Sequence, residues 1–147
     1  MPSTHTNMHL HIVFSTKNRL PLIEDDWQQE LFGYLGGIAR NQGGVCLAVG
    51  GMNDHVHLLV GIKPTHRLDY FMRELKASSS GWIRKNENPK FGWQKGYGAF
   101  AVSATNLKKV ERYILNQETH HKNKNFKEEY VWLLQNGNIE FDEKYLW

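Results

Sequence analysis

The sequence predicts an α+β fold: a ferredoxin-like or RRM-like split βαβ sandwich with a four-stranded, mainly antiparallel sheet. Two long helices should lie on one face, and a C-terminal helix should carry candidate reactive residues. Three observations lead there. Two-residue and helical periodicities alternate along the chain in the order strand, helix, strand, strand, helix, strand, helix. A length of 147 residues suits one domain, residues 1–147. No repeat, linker or low-complexity segment interrupts the order.

Each element has its own signal. Met8, Leu10, Ile12 and Phe14 alternate with His9, His11 and Val13, which is a strand with one face inward. Asp25 and Asp26 favour a helix start, and Trp27, Leu31, Leu35 and Ile38 continue it to about Asn41–Gly44. Val45 to Val49 is a short apolar strand, expected to form a hairpin with HVHLLVGI across the turn GGMND. Leu68, Phe71, Met72, Leu75, Ser79, Trp82 and Ile83 form a helical stripe that stops at Asn86 to Pro89. FGWQKGYG reads as a loop and AFAVS as the fourth strand. Thr105 or Asn106 can cap a helix running to about His121, and Phe126 to Gln135 forms a further short helix.

Composition sets the class. Hydrophobic residues are 40% and charged residues 22%, as in a soluble globular protein. No apolar run matches a membrane span, and MPSTHTNMHLHIVF lacks the features of a signal peptide, so a cytoplasmic protein is expected. The single cysteine, Cys46, excludes an internal disulfide and reads as a buried thiol. Net charge is +3. Its distribution says more, because Arg40 to Lys124 is basic on balance and the tail from Glu128 is acidic. A basic middle suits a phosphate-binding surface, and equally an unevenly charged, solvated one.

His55 and His57 are the sharpest feature. Residues i and i+2 of a strand share a face, so two imidazoles can reach one ion while Val56 points into the other layer. Imidazole suits zinc, manganese or cobalt. Tyr113 and Gln117 lie four apart on the next-to-last helix and share its face. The Gln117 carbonyl can complete a ligand set with the two histidines. So open a site favours magnesium or manganese over a structural zinc. Tyr113 beside such an ion could attack a phosphodiester, forming a phosphotyrosine from which a free 3′-hydroxyl can later displace it, with no nucleotide cofactor. The plain alternative is a helix aromatic and two surface histidines.

Several residues surround this set. Asp54 is placed to orient a histidine or to serve as a turn residue, and His120 and His121 lie one turn beyond Gln117. His9 and His11 face away from the core positions of their strand, toward the same cleft. Candidate DNA contacts are Lys17, Arg19, Arg73, Lys76, Arg84, Lys95, Lys108 and Lys109, with Trp93 as a stacking platform beside Lys95, Tyr97 and two glycines.

Taken together, these segments resemble the single-tyrosine HUH transposases, the IS200-like enzymes that move small insertion sequences as single-stranded DNA. DHVHLLV, Asp54 to Val60, resembles the superfamily's His-hydrophobic-His motif. YILNQETHH, Tyr113 to His121, resembles its nucleophile helix. HIVFSTKNRLPLI, GWQKGYGAFAVS and IEFDEKYLW resemble flanking segments, in the family's order. The resemblance implies Tyr113 as nucleophile, and His55, His57 and Gln117 as ligands of Mg2+ or Mn2+. It also implies a homodimer acting on hairpin-ended single-stranded DNA. A domesticated group acting on chromosomal repeated palindromes shares the core. Two readings of other kinds stand beside it: a non-catalytic single-stranded nucleic-acid-binding module, and a hydrolase acting through metal-bound water.

Overall fold

The computed structural model describes residues 4–117, 125–137 and 139. Four described strands form one sheet: β1 (Met8–Ser15), β2 (Val45–Gly51), β3 (His55–Ile62) and β4 (Gly98–Val102), in the order β2-β3-β1-β4. Every pairing is antiparallel. Helix α1 (Asp25–Asn41) joins β1 to β2, and α2 (Leu68–Asn86) joins β3 to β4. This is the expected split βαβ arrangement. Two shorter helices follow, α3 (Leu107–Leu115) and α4 (Phe126–Asn136).

The strand alternation divides the molecule into two layers. Ile12 and Phe14 of β1 and Val56, Leu58 and Val60 of β3 point to α1 and α2, where they join Leu31, Leu35, Phe71, Met72, Leu75 and Ile83 in the main core. Burying side chains of this size from both layers is the dominant stabilising contribution. Tyr34 and Trp82 stack across the two helices, with ring centroids 5.2 Å apart. Cys46 is half-buried at the margin of this core rather than fully enclosed.

The other sheet face is covered by α3 and α4. Ile114 packs on Ala48 and Leu59, and Phe126 and Leu133 pack with Val13. The expected end of α3 near His121 differs from the observed end at Leu115, after which Asn116 leaves helical geometry with φ −105° and ψ 30°. His120 and His121 lie outside the described residues. Asn125 caps α4 by accepting a hydrogen bond from the Glu128 amide at 2.9 Å.

Glycine at one position lets α3 approach the sheet. A Cβ on Gly50 would lie 2.1 Å from the Ile114 carbonyl oxygen. That neighbour is backbone, so no rotamer change relieves the clash. Gly50→Ala should therefore lift the C-terminal end of α3 and cost roughly 1–3 kcal/mol. Urea unfolding of the two proteins measures this, and equal midpoints would show that α3 is not held against β2.

Candidate metal centre and tyrosine site

The site is built on the sheet face opposite α1 and α2. His55 and His57 both project there from β3, and both are fully buried. The Nδ1 of His55 lies 2.7 Å from Asp54 Oδ1, and the Nδ1 of His57 lies 2.7 Å from His11 Nε2. His11 reaches His57 because β1 pairs with β3 and places Val13 opposite His57. With each Nδ1 occupied, each Nε2 is turned toward α3 and α4.

Those two helices, with Gln117 just past the end of α3, supply the rest of the cluster. His55 Nε2 lies 3.0 Å from Gln117 Oε1. Glu129 Oε1 lies 3.3 Å from His55 Nε2 and 3.1 Å from His57 Nε2. The other Glu129 oxygen, Oε2, accepts a short hydrogen bond from the Tyr113 hydroxyl. Gln117 also donates from Nε2 to the Tyr113 carbonyl at 3.3 Å. Phe126, one turn before Glu129, stacks on His55 with centroids 4.4 Å apart.

Electrostatics follow from this burial. Burial alone pulls the His55 pKa down, but the Asp54 hydrogen bond and then the Glu129 hydrogen bond and charge outweigh it, and His55 is pushed up to about 9. Burial first, then repulsion from His57, pushes His11 down to about 3 against the pull of Glu129, so His11 stays neutral. Burial, the Glu129 charge and the Glu129 hydrogen bond hold the Tyr113 phenol well above its ordinary value, with Gln117 opposing. In this arrangement Tyr113 is a hydrogen-bond donor rather than a phenolate.

The donor set fits a divalent cation. His55, His57 and Glu129 each offer one ligand atom, and these atoms lie within 4.8 Å of one another. Two imidazole nitrogens and a carboxylate oxygen, with the Gln117 amide oxygen beside them, suit first-row divalent metals and magnesium. Two carboxylates converge on His55, so the pocket holds negative charge that a cation can neutralise.

The structure thus brings Tyr113, His55, His57, Gln117 and Asp54 together, and adds two residues. Sequence reasoning placed His11 only near the cleft, whereas it is bonded to His57. Glu129 was missed altogether. A signal existed, since it is a carboxylate on the apolar stripe Phe126, Glu129, Leu133 of α4.

The expected DNA contacts fare unevenly. Lys17 and Lys95 are exposed and lie with Arg19 around the His55 end of the sheet, where Lys17 N donates to Gly92 O at 2.9 Å. Lys108 and Lys109 are exposed at the start of α3. Arg73 and Arg84 project from α2, on the other side of the sheet. Arg73 lies over the Tyr70 ring, and Arg84 donates to the Phe91 carbonyl. Lys76 donates to the Gln94 and Gly96 carbonyls at 2.8 and 2.5 Å and so fastens the aromatic-glycine loop. Trp93, named as a stacking platform, is partly buried against the main core. It packs edge-on against Phe14 and Phe91 at 4.7 and 4.8 Å, and its indole donates to Ser79.

Residues 4–117 match the family described as transposase IS200 like. The chain belongs to this family. As an IS200-like transposase it is a DNA-binding HUH endonuclease, with His55, His57 and Glu129 as a cluster able to coordinate a divalent metal ion. Solved structures are similar to it as well. One is a Deinococcus radiodurans R1 protein assigned as a transposase, 27% identical, with a TM-score of 0.65, covering 80% of this chain and 95% of that one. Another is a REP-associated tyrosine transposase bound to a REP hairpin, 15% identical, with a TM-score of 0.61, covering 82% of this chain and 74% of that one. The second likeness is one of fold. No curated protein matches the chain. Among the described residues no helix is long and apolar enough to cross a membrane.

If Asp54 and His11 aim the two rings, His11→Ala and Asp54→Ala should each weaken Mn2+ binding about 10–100-fold without loss of fold. Titration calorimetry with circular dichroism measures both. Unchanged affinity in both variants would mean that the sheet alone orients the rings.

Proposed function

We propose that this transposase cleaves and rejoins single-stranded DNA through a 5′-phosphotyrosine on Tyr113, at strands marked by hairpins. One observation carries the reading. The Tyr113 hydroxyl is held by the carboxylate that also faces the Nε2 atoms of His55 and His57. Nucleophile, proton acceptor and ligand set therefore meet at one residue.

The two oxygens of Glu129 divide the task. Oε1 belongs to the ligand cluster with His55, His57 and Gln117. Oε2 is placed to take the phenolic proton as Tyr113 Oη attacks phosphorus. The Oη–P bond forms, the bond from phosphorus to the 3′ oxygen breaks, and that oxygen leaves as a hydroxyl after taking up a proton. Attack by a free 3′-hydroxyl reverses each change and returns the proton to Tyr113. The phosphate ester is conserved throughout, so no nucleotide cofactor is needed. A divalent ion, Mg2+ or Mn2+, bound by the cluster would polarise the scissile phosphate and stabilise charge on its oxygens. His55 and His57 contribute by holding rigid, pre-aimed nitrogens, at no reorganisation cost during reaction.

Lys17, Arg19, Lys95, Lys108 and Lys109 are the cations placed to guide the strand backbone. The similarity to a hairpin-bound REP-associated transposase supports hairpin DNA as the substrate. The family resemblance supports a homodimer.

The test uses labelled single-stranded hairpin DNA from the flanks of the gene, with Mn2+ or Mg2+, on a denaturing gel. The wild-type chain should give a protein–DNA adduct. Tyr113→Phe should give none, and chelation of the metal should abolish adduct and cleavage together. Cleavage that persists in Tyr113→Phe without any adduct would replace this reading with hydrolysis by water.

A further inference from the structure

A cleft of about 350 Å³ opens beside the cluster, between the first half of α1, the end of β2 and the C-terminal end of α3. Gln28 and Gln29 of α1 face Asn116 and Gln117 across it, with Phe32 and Leu115 as its apolar walls. The size falls within the range of small-molecule sites. Gln117 is shared, since it lines the cleft while its Oε1 lies 3.0 Å from His55 Nε2. A group seated in the cleft is therefore next to the His55 cluster.

The chemistry of the walls selects the occupant. Among the described residues no charged side chain lines the cleft. The end of α3 presents carbonyls, and the first turn of α1 carries Asp25 and Asp26, so an anion is disfavoured there. Carboxamides offer both donors and acceptors. Those of Gln28, Gln29 and Asn116 form no side-chain hydrogen bond with another described residue. Leu115 is 61% exposed, although its neighbour Ile114 is fully buried, so a large apolar side chain stands open at the rim. A neutral, flat group with mixed donors and acceptors on its edge and an apolar face matches all of this. A phosphate does not.

We propose that this cleft seats an unpaired nucleobase of the substrate strand next to the scissile phosphate, and that Gln28, Gln29 and Asn116 read its edge. The inference rests on the strand-cleavage reading above. Recognition of a splayed base by hydrogen bonds to its edge and apolar contact with its face is a general mode for single strands. The cleft is thus a specificity site, distinct from the cations that track the backbone.

The test separates this proposal from the cleavage reading. Full-length Tyr113→Phe binds without turnover, so it is titrated with Mn2+ and fluorescent hairpin strands carrying an abasic site at each successive position. One position should weaken binding about tenfold. The penalty should vanish when Gln28→Ala and Gln29→Ala are added, and shrink with Asn116→Ala as an independent variant. Gln29 and Asn116 are exposed and Gln28 partly so, so circular dichroism should be unchanged. That position should adjoin the linkage at which the wild-type chain forms its adduct on the same strands. No penalised position, or a penalty untouched by these variants, overturns the base seat even if the adduct forms. Absence of any adduct overturns the cleavage reading instead.

Discussion

The two-residue repeat of β3 is the constraint on which the site depends. It sends Val56, Leu58 and Val60 into the main core and turns His55 and His57 to the opposite face as a fixed pair. A strand alone would leave the rings free to rotate about χ2. Asp54 and His11 remove that freedom by holding each Nδ1 at 2.7 Å, so both Nε2 atoms face the same space. The main core therefore aims the chemistry, because the residues that anchor β3 are the immediate neighbours of those that act.

The second layer meets a harder demand. Glu129 is 1% exposed, and a buried carboxylate is costly unless it is paired and hydrogen-bonded. Here it faces two imidazoles and a phenol, which supply that pairing. The same contacts hold α4 over the sheet, with Phe126 stacked on His55 and Leu133 beside Val13. Gly50 does the equivalent for α3 by removing the Cβ that would meet the Ile114 carbonyl. Structure and reactivity share residues here: the helices that close the site also deliver Tyr113 and Glu129, with Gln117 just past the end of α3.

Much of this was legible in sequence because local periodicity decides it. β1, the β2–β3 hairpin, α1 and α2 follow from apolar spacing, and His-x-His together with Tyr-x-x-x-Gln fixed which faces to compare. Less legible were contacts set by register and by packing between distant segments. The His11–His57 bond depends on the alignment of β1 with β3, which no spacing within one strand reveals. Glu129 looks like one more charge in an acidic tail until its place on the buried stripe of α4 is considered. Trp93, set among glycines and a lysine, reads as an exposed platform, yet it is partly buried against Phe14, Phe91 and Ser79. Composition around an aromatic residue does not determine which side of the sheet it joins.

The central claim is that the converging Nε2 atoms of His55 and His57 form the cation site, with Glu129 as their carboxylate partner. Anomalous diffraction from crystals grown with Mn2+ tests it most directly. The account predicts one strong manganese peak bonded to His55 Nε2, His57 Nε2 and a Glu129 oxygen, with Gln117 adjacent. A peak elsewhere on the molecule, or none with Glu129 still seated on both histidines, would contradict it.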